Sequence, residues 1–576
     1  MFPESVKTIF KKPSQIPLQI IPLGGLDGIG KNMQVIRYGD DILVIDAGMM
    51  FPDETLPGID KVIANMTYIR ENKDKVRAVI LTHGHEDHIG ALSFLYDEIN
   101  APLYATKLTM GLAESKLRGN QKKQVKKHIV TPRQRVTIGA FEVEFIQVNH
   151  SIPDGVGLAI RTPVGMMVHS GDFKIDHTPI DGKMIDLNRF AELGDEGVMV
   201  FLSDSTNADE PGFTLSEKVV GETFEREIQQ AEGRIIIAMF ASNIHRIQSA
   251  IDASLKYGRK FAVLGKSIEE SVEISRKIGY LHYPEEAKLN FEQMQKAAPN
   301  TITILTTGSQ GEPMSALNKM ARNEYKHLKI SPQDTIVISA IPIPGNEKAV
   351  GRNVDCLFRL GANVVYEAES DVHVSGHAKQ EELKMLLHLV KPNYFIPVHG
   401  EYRHLKYHAR LAESMGIPSD HIFLAENGDV MEFTPHRARK AGKVKGGSVL
   451  VDGLGRVEDQ DTVLQERRML ANEGVVSLTM VMSSRENRVL TTPLVKTKGC
   501  VYVKESQELI AKLETATRQR LTQQIEKGIT ENKQLRKDLQ QFTRDFLYDQ
   551  THRNPIVLVA IIDIASTDNK KNEGAE

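Results

Sequence analysis

Short apolar runs alternate with glycine-containing turns over the first 210 residues, a pattern that predicts consecutive β-strands. The first four runs are LQIIPLGG from Leu18, MQVIRYG, DILVIDAG and VRAVILTHGH, and the next four are FEVEFIQVNH, GLAIRT, GMMVHSGD and GVMVFLSD. A His or Asp stands at or just past the end of many of these runs, namely Asp46, His83, His150, Asp172 and Asp204. In layered α/β proteins such positions gather at one edge of the sheets, so we expect these side chains to meet there.

Between about residues 211 and 370 the pattern changes to alternating helices and strands. Helical spacing covers 216–231, 245–257 and 267–278, and the apolar runs are RIIIAMF, KFAVLG, TITILTTG, DTIVISA and ANVVYEA. This βαβ spacing predicts a second domain with a mainly parallel sheet. The strand pattern of the first 210 residues then returns, with HVSGH at 373–377, a helix at 380–390 and the run YFIPVHGEYRHL, which contains His399. We therefore infer that the first domain is split into 18–210 and 371–438, with 211–370 inserted.

The two ends of the chain have a different character. Residues 1–17 form an N-terminal extension, and the Gly/Lys-rich segment KAGKVKGGS indicates a linker over 439–449. A third, α+β unit follows over 450–564, with predicted strands at 474–482 and 555–563 and helices at 506–527 and 531–548. Residues 565–576, which end in NKKNEGAE, have the composition of a disordered tail.

Composition excludes several classes of protein. The chain has 576 residues, 41% of them hydrophobic and 26% charged, with a formal net charge of -3, so it carries no global basic field. Only Cys356 and Cys500 occur, which excludes a disulfide framework. We find neither a signal peptide nor a membrane-spanning run, and expect a cytoplasmic protein without a membrane partner. A solvated helix face and an RNA contact explain one local basic run equally well: Lys116, Arg118, Lys122, Lys123, Lys126, Lys127 and His128.

The hexapeptide HGHEDH at 83–88 contains four side chains that can bind a metal ion. His83 and His85 are two positions apart, so only an extended or tightly turned segment can direct both rings to one site. Helical spacing from Asp87 to Ile99 places Asp87 and His88 at a helix start. Imidazole and carboxylate donors without a nearby thiolate suit zinc or manganese. Four such donors in six residues suggest two ions in one pocket, whereas the plain alternative is a solvated His-rich turn.

The complete pattern resembles a known family. THGHEDHIG, His150, the Asp172 of HSGDFK and the later His399 are similar to the metallo-β-lactamase superfamily of dinuclear hydrolases. FLSDST, HVSGHA and PVHGEYR resemble its β-CASP branch, which cuts nucleic acids. Together with LGGLDGIGKN, VIDAGMMFP, LSDSTNA, FASNIHRIQ, TTGSQGEPM and IPIPGNE, they resemble the bacterial ribonuclease J family over nearly the whole chain. The implied fold is an αββα sandwich split by an inserted β-CASP domain, followed by a small C-terminal domain.

The resemblance also implies a dinuclear centre in which Asp172 bridges two divalent ions, with Zn²⁺ expected first and Mn²⁺ as the alternative. One ion is held by His83, His85, His150 and Asp172, and the other by Asp87, His88, Asp172 and His399. Asp46 and Asp204 are implied to orient the histidine ligands, as partners of metal ligands commonly do. Asp87 and His377 are the implied catalytic residues.

Substrate contacts are implied in two places. The family's substrate-phosphate loop corresponds to His373, Val374, Ser375, Gly376, His377 and Ala378, where Ser375 and Gly376 offer donors and His377 contacts the scissile phosphate or assists the leaving group. A preference for a 5′-monophosphate end also requires a terminal phosphate pocket. Small polar turns after strands of the second domain supply the candidates, which are Ser242, Asn243, His245, Arg246, Ser309 and Gln310. Arg246 could equally pair with an acid.

The implied activity is 5′-to-3′ exonuclease and endonuclease cleavage of single-stranded RNA, in rRNA maturation and mRNA decay. The C-terminal domain is implied to form a homodimer or homotetramer, with RNA-degradosome partners. A DNA-processing β-CASP nuclease remains an alternative, because the contacts that read a 2′-hydroxyl cannot be identified from sequence. A small-molecule hydrolase of glyoxalase or lactamase type would not need the inserted domain, and a scaffold with a vestigial site would not need the complete ligand set.

Overall fold

The computed structural model describes residues 16–564 apart from 54, 313, 327, 344–345, 368–369, 454, 458–459, 484, 487 and 502–505. Most of the predicted N-terminal extension and the whole predicted tail therefore lie outside the described residues. The chain forms two compact units, one of Met1–Asp53 with Asp60–Val451 and the other of Glu54–Ile59 with Asp452–Glu576. None of the described helices is long and apolar enough to span a bilayer.

The first unit begins with a strand-rich part. Its strands are β1 (Leu18–Gly24), β2 (Met33–Tyr38), β3 (Asp41–Ile45), β4 (Met49–Met50), β5 (Lys61–Ala64), β6 (Val76–Ile80), β7 (Leu103–Ala105), β8 (Lys127–Ile129), β9 (Arg135–Ile138), β10 (Phe141–Gln147), β11 (Val156–Arg161), β12 (Met166–His169) and β13 (Val200–Asp204). Its helices are α1 (Thr67–Glu71), α2 (Glu86–Ile89), α3 (Leu92–Leu95), α4 (Lys107–Lys116), α5 (Gln121–Gln124) and α6 (Leu187–Glu196), with a 3₁₀ turn at Lys73–Lys75.

The inserted domain contributes β14 (Ile235–Ala238), β15 (Lys260–Leu264), β16 (Ile302–Thr306), β17 (Thr335–Ile338) and β18 (Asn363–Val365). Its helices are α7 (Lys218–Gln230), α8 (Ile244–Lys256), α9 (Lys266–Lys277), α10 (Phe291–Lys296), α11 (Ala316–Ala321) and α12 (Glu347–Arg359), with 3₁₀ turns at Glu285–Ala287 and Pro299–Thr301. The sheet order is β15-β16-β14-β17-β18, and every pairing in it is parallel. This confirms the predicted βαβ domain.

After the insertion the chain returns to the first domain. The returning elements are α13 (Gln380–Val390), β19 (Tyr394–Val398), α14 (Tyr402–Ser414), a 3₁₀ turn at Ser419–His421, β20 (Asp429–Thr434), β21 (Arg437–Lys443) and β22 (Ser448–Asp452). One sheet then has the order β21-β20-β1-β2-β3-β6-β7-β8, and a second has the order β19-β13-β12-β11-β10-β9. Both sheets therefore contain strands from before and after the insertion.

Strand alternation builds the layers of this domain. Leu43 and Leu202 point into the core between the two sheets, whereas their neighbours Val44 and Phe201 point outward. The outward face of the first sheet packs on α3 and α4, and that of the second on α6, α13 and α14. The predicted αββα sandwich with an inserted α/β domain is confirmed.

The segment 439–449, which was expected to be a linker, is mostly strand. β21 pairs with β20 along the edge of the first sheet, and Ser448 to Val451 pair with β5. The Lys and Gly residues misled the prediction, because exposed edge strands carry such side chains without losing their ladder. Asp87 and His88 lie at the start of α2 as predicted, but Gly90 and Ala91 separate α2 from α3. The basic run from Lys116 to His128 is divided between α4, α5 and β8, so it does not form one helix face, and its contact with RNA stays an open alternative.

The second unit contains β23 (Gly455–Arg456), α15 (Gln460–Asn472), β24 (Val475–Ser483), β25 (Arg488–Val489), β26 (Leu494–Lys498), α16 (Gln507–Glu526), α17 (Asn532–Thr551) and β27 (Ile556–Asp563). β24 pairs with β25 and β26 in antiparallel and with β27 in parallel orientation. Val476, Leu478 and Met480 of β24 pack against Leu513 of α16 and Leu535 of α17. These elements confirm the α+β character of the C-terminal part.

Candidate metal centre

The predicted metal ligands lie together at one edge of the sandwich. β3 and β6 are parallel neighbours, and Asp46 and His83 follow their carboxyl ends. In the second sheet β12, β13 and β19 are parallel, and Asp172, Asp204 and His399 stand at or just past their ends. Because parallel strands end at a common edge, the topology alone brings these side chains from distant parts of the sequence to one place.

Two of these positions have unusual backbone conformations. Asp46 has a φ of 62° and His399 a φ of 57°, in the left-handed region that non-glycine residues seldom adopt. Hydrogen bonds hold both turns: Asp46 N donates to Ile80 O (2.9 Å) and His399 N donates to Gly25 O (2.9 Å). Such strain persists only where the surroundings determine the conformation, and it is common at functional sites.

The first cluster contains three histidines. Nδ1 of His85 lies 3.1 Å from Nε2 of His83 and 3.0 Å from Nε2 of His150. Three imidazole nitrogens thus face one point, although a neutral imidazole can donate from only one of its nitrogens. The ligand atoms of the three residues all lie within 4.8 Å of one another.

The second cluster surrounds one carboxylate oxygen. Oδ2 of Asp172 lies 3.1 Å from Nε2 of His88 and 3.1 Å from Nε2 of His399. Oδ2 of Asp87 lies 3.2 Å from the same nitrogen of His399. The same Asp172 oxygen also lies 3.7 Å from Nε2 of His83, which belongs to the first cluster. Asp172 therefore stands between the two clusters.

These distances fit bound cations. Two ligands of one tetrahedral ion, each about 2 Å from it, lie roughly 3.3 Å apart, which is close to the separations within both clusters. All the donors are nitrogen or carboxylate oxygen, the set that zinc and manganese accept. His83, His88, His150 and Asp172 are also buried, so their mutual approach is held by the fold rather than by solvent-exposed chance contacts.

Charge within the clusters changes the pKa values of the histidines. Burial lowers the pKa of His88, but Asp172, Asp87 and Asp46 raise it well above the usual value. Burial likewise opposes a charged His399, and Asp172 and Asp87 again raise its pKa well above normal. For His83 burial dominates and the pKa is well below the usual value. The carboxylates thus favour positive charge at the second cluster.

Neighbouring polar groups orient the ligands. Oδ2 of Asp46 lies 2.7 Å from Nδ1 of His88 and accepts a hydrogen bond from the Thr82 hydroxyl (2.8 Å). Oδ2 of Asp204 lies 2.7 Å from Nδ1 of His377, which is not one of the predicted ligands. The expectation for Asp46 fits this geometry, whereas Asp204 reaches a ligand only through an intermediate residue.

That intermediate is Thr206, which the sequence did not point out. Its hydroxyl lies 2.8 Å from Oδ1 of Asp204 and 3.0 Å from Nδ1 of His399. Asn32 was also missed, although its Nδ2 lies 3.0 Å from Nε2 of His88. A lone Thr or Asn next to a turn carries no chemical signature, so only the GLDGIGKN and LSDSTNA stretches could have drawn attention to them.

The segment 373–378 lies against the clusters. The Gly376 carbonyl oxygen lies 2.7 Å from Nδ1 of His150, and the His377 ring centre lies 4.8 Å from that of His150. The Ser375 hydroxyl accepts a hydrogen bond from Nδ2 of Asn207 (2.8 Å). Ala378 is buried in the hydrophobic core, so it supports the segment without facing a substrate.

The six predicted 5′-phosphate residues are mostly occupied by other contacts. Asn243 caps α8 by accepting from the Arg246 N–H, and Gln310 bridges to Ile341 O and Ile343 N. Ser309 is buried, Ser242 is half-buried, and Nε2 of His245 lies 3.5 Å from Asp181. Every guanidinium nitrogen of Arg246 is used within the protein, so a phosphate-binding role does not fit that residue.

Comparisons with known families agree with this architecture. Residues 26–187 match the model of the metallo-beta-lactamase superfamily, and residues 232–357 match that of the ribonuclease J beta-CASP domain. Residues 361–422 match the Zn-dependent metallo-hydrolase RNA specificity domain, and residues 462–564 match the ribonuclease J C-terminal domain. The matches follow one another in the order of the structural parts.

Individual relatives span nearly the whole chain. The chain is 39% identical over 556 residues to ribonuclease J2 of Bacillus subtilis (strain 168), covering 96% of this chain and 100% of that one. It is 40% identical over 547 residues to ribonuclease J of Helicobacter pylori (strain B128), covering 95% and 79%. A solved structure of a protein of unknown function from Enterococcus faecalis V583 shares the fold, with a TM-score of 0.52 and 15% identity over 72% of this chain and 100% of that one. The chain belongs to the ribonuclease J family.

Proposed function

We propose that this protein hydrolyses RNA phosphodiester bonds at a two-metal centre. The observation that carries the proposal is the position of the Asp172 carboxylate between two groups of donors, each compact enough for one ion. The proposed ligands are His83, His85, His150 and Asp172 for one ion and Asp87, His88, Asp172 and His399 for the other. Zn²⁺ is the proposed metal, and Mn²⁺ suits the same donors.

The chemistry of two divalent ions in such a pocket is to lower the pKa of a shared water and to neutralise charge on the non-bridging phosphate oxygens. The protein's own residues supply orientation. Asp204 holds Nδ1 of His377 at 2.7 Å, which leaves Nε2 of that ring to face a substrate. From this position His377 would donate a hydrogen bond to the scissile phosphate or to the leaving oxygen.

The N–H groups of Ser375 and Gly376 are the proposed donors to the phosphate. In the described part of the chain neither of these N–H groups donates a hydrogen bond to a protein acceptor, although both lie beside the clusters. Unpaired N–H groups of successive residues form a concave site for an anion. A phosphate held there would lie within reach of His377.

RNA as the substrate rests on the relatives, and cleavage both from a 5′ end and internally is a further part of the proposal. Proteins named ribonuclease J in Helicobacter pylori and ribonuclease J2 in Bacillus subtilis match almost the whole chain, and one matched model is an RNA specificity domain. We extend the same reasoning to a product with a 5′-phosphate and a 3′-hydroxyl, and to roles in rRNA maturation and mRNA decay.

The test uses three RNAs of one sequence: a 5′-monophosphorylated linear form, a 5′-triphosphorylated linear form and a covalent circle. We expect chelator-sensitive cleavage of all three, with mononucleotide release fastest from the 5′-monophosphate. The circle has no end, so its cleavage reports endonuclease activity alone. A wild-type protein that cleaves none of them after reconstitution with Zn²⁺ or Mn²⁺ contradicts the proposal.

Two controls sharpen this test. Asp87→Ala removes a proposed ligand, and Asp195→Asn changes an exposed carboxylate that pairs with Lys391 on the surface. We expect the first variant to be inactive and the second to match the wild type. A single-stranded DNA of the same sequence separates the substrates, because cleavage of DNA as fast as RNA would assign the protein to the DNA-processing nucleases.

We also propose that the second unit joins copies of this chain. β27 alternates Val557 and Ile561, which are buried, with Leu558 and Ile562, which are 56% and 52% exposed. Leu494 of β26 is likewise 52% exposed. An apolar sheet face of this kind is typical of a surface that a further protein layer covers, and a symmetric second copy is the simplest such layer.

A further inference from the structure

Two segments of the chain cross between the metal-binding domain and the inserted domain, and they run side by side. The outgoing segment contains Thr214 and Leu215, and the returning segment is 373–377. The Thr214 hydroxyl donates to His377 O (2.7 Å), and Nζ of Lys174 donates to both Leu215 O (3.0 Å) and Ser375 O (3.2 Å). The proposed phosphate loop is therefore part of a packed junction and not a free surface turn.

Arg246 ties this junction to the inserted domain. Its side chain is 1% exposed and lies at the start of α8. Nη2 donates to Val374 O (3.0 Å), and Nη1 lies 2.8 Å from Nδ1 of His373 and donates to Ser339 O (2.9 Å). Nε and Nη2 also donate to the two carboxylate oxygens of Glu217, at 3.1 and 2.8 Å. One guanidinium thus contacts the end of β17 and both crossing segments.

These contacts set the direction of the phosphate loop. Four consecutive carbonyl groups of the loop point into the protein, with Val374 bound by Arg246, Ser375 by Lys174, Gly376 facing His150, and His377 bound by Asn207 and Thr214. A peptide group carries its carbonyl and N–H on opposite sides, so inward carbonyls direct the N–H groups of the following residues away from those partners. The N–H groups of Ser375 and Gly376 are the ones affected by Arg246 and Lys174.

Arginine suits this position better than lysine for a geometric reason. Its planar fork presents five N–H donors in fixed directions, whereas an ammonium presents a single compact charge on a flexible stem. Glu217 is 3% exposed and accepts two of these donors, which fixes the rotation of the guanidinium plane. The remaining donors are then aimed at the loop and at Ser339 O.

We propose that Arg246, oriented by Glu217, is a positioning residue for the reaction: it holds the carbonyl side of the 373–377 loop, so that the loop's N–H groups and His377 meet the scissile phosphate in a reactive arrangement. The inserted domain then acts on the chemical step and not only on RNA binding. This inference rests on the proposed RNA hydrolysis, and it replaces the phosphate-pocket role that the sequence suggested for Arg246.

Two variants test it without leaving a buried charge alone. Arg246→Lys keeps the charge and removes the fork, and Glu217→Gln with Arg246→Met removes both charges at similar volume. The matched control is Arg234→Met with Asp334→Asn, because this bidentate pair (2.8 and 2.6 Å) lies in the same domain and has no contact with the loop. Each protein is reconstituted with Zn²⁺, and its metal content and thermal midpoint are measured.

Steady-state cleavage of 5′-monophosphorylated RNA, which gives kcat and KM, and hydrogen exchange of a peptide covering 372–379 are the two readouts. A loop displaced by about 1 Å lowers the rate by about 100-fold, so we expect a loss of that order in kcat for the double variant and a smaller loss for Arg246→Lys, with KM and metal content unchanged in both. Exchange of the His377 N–H, which donates to the Ser375 hydroxyl (3.1 Å), should rise in the same variants and stay at the wild-type level in the control. Arg246→Lys should retain more activity than the double variant.

Other results overturn the proposal. A wild-type kcat in the Arg246 variants overturns it, whatever the exchange shows. An equal loss of kcat in the Arg234 control also overturns it, because it would indicate general weakening of the domain. If the wild-type protein itself fails to cleave RNA, the proposed function fails. The exchange data then test the role of Arg246 independently of RNA cleavage. Unchanged loop exchange in the variants would show that Arg246 does not hold the loop.

Discussion

The phosphate loop packs tightly against the proposed metal-binding clusters at Gly376, so adding a single methyl group there is a direct test of this contact. A Cβ added at this position would lie 2.6 Å from Cε1 and 2.7 Å from Nδ1 of His150, and 3.0 Å from Cβ of Ser151. Non-bonded carbon atoms rest at about 3.5 to 4 Å, so the loop or the imidazole must move by roughly 1 Å in Gly376→Ala.

The size of the effect follows from this displacement. Overpacking of a close-packed site costs about 1 to 3 kcal/mol, which lowers the stability of the protein without unfolding it. Misplacing a reacting arrangement by about 1 Å lowers the rate by about 100-fold. His150 is a proposed ligand whose Nδ1 faces the Gly376 carbonyl at 2.7 Å, so we also expect weaker metal binding at the first cluster.

The assay measures steady-state cleavage of 5′-monophosphorylated RNA across a titration with Zn²⁺. Gly351→Ala is the matched control, because Gly351 lies in α12 and a Cβ there meets no heavy atom within 4 Å. An alanine in a helix is more stable than a glycine by about 0.5 to 1 kcal/mol, so this control should unfold at a slightly higher temperature with unchanged activity. Wild-type kcat and zinc affinity in Gly376→Ala would refute the placement of the loop against His150.

Three further predictions concern the centre and the second unit. Asp172→Asn should abolish hydrolysis and lower the metal content, because both clusters lose the carboxylate between them; full metal content measured by mass spectrometry would contradict the bridging assignment. Zinc binding to the metal-free protein should strengthen as the pH rises, because Asp172 raises the pKa of His88 and His399 and the protons on these rings must leave before the ring nitrogens can bind an ion. Calorimetry in buffers of different ionisation enthalpy should show this proton release. Zinc binding without proton release would count against these ligands. Truncation after Asp452 should leave a folded first unit of lower mass in light scattering, whereas an unchanged oligomer would place self-association elsewhere.

The two clusters that we propose to bind metal could be predicted because their donors are concentrated in sequence. Four donors occupy six positions at 83–88, and the remaining ligands stand just past recognisable apolar strands, as do His150 and Asp172. Strand ends are the positions that a parallel sheet brings to one edge, so a one-dimensional pattern was sufficient to gather them. The βαβ region was predictable for a similar reason, because its strands and helices differ clearly in apolar period.

The contacts that orient the site could not be predicted in this way. Asp204 contacts His377 directly and His399 only through Thr206, and these pairings depend on differences in atomic position of a few tenths of an ångström. Arg246 was assigned to a phosphate pocket because it follows a polar turn, but it is buried against Glu217, which precedes it by 29 positions in the chain. The edge strand β21 was hidden by its Lys and Gly residues, since an edge needs a ladder on only one side.

The inserted domain helps to fix the positions of residues in the candidate site. Asp87 and His399 face each other at 3.2 Å although they are 312 positions apart in the chain, and the phosphate loop is the segment that returns from the inserted domain. Bringing such distant residues together carries a loop-closure cost, which the packed junction at Arg246, Glu217 and Lys174 offsets with directed hydrogen bonds. The same contacts that close the chain therefore fix the loop beside the metal ligands. A change in the inserted domain that loosens this junction should then reach the reacting atoms through the loop, without altering any ligand.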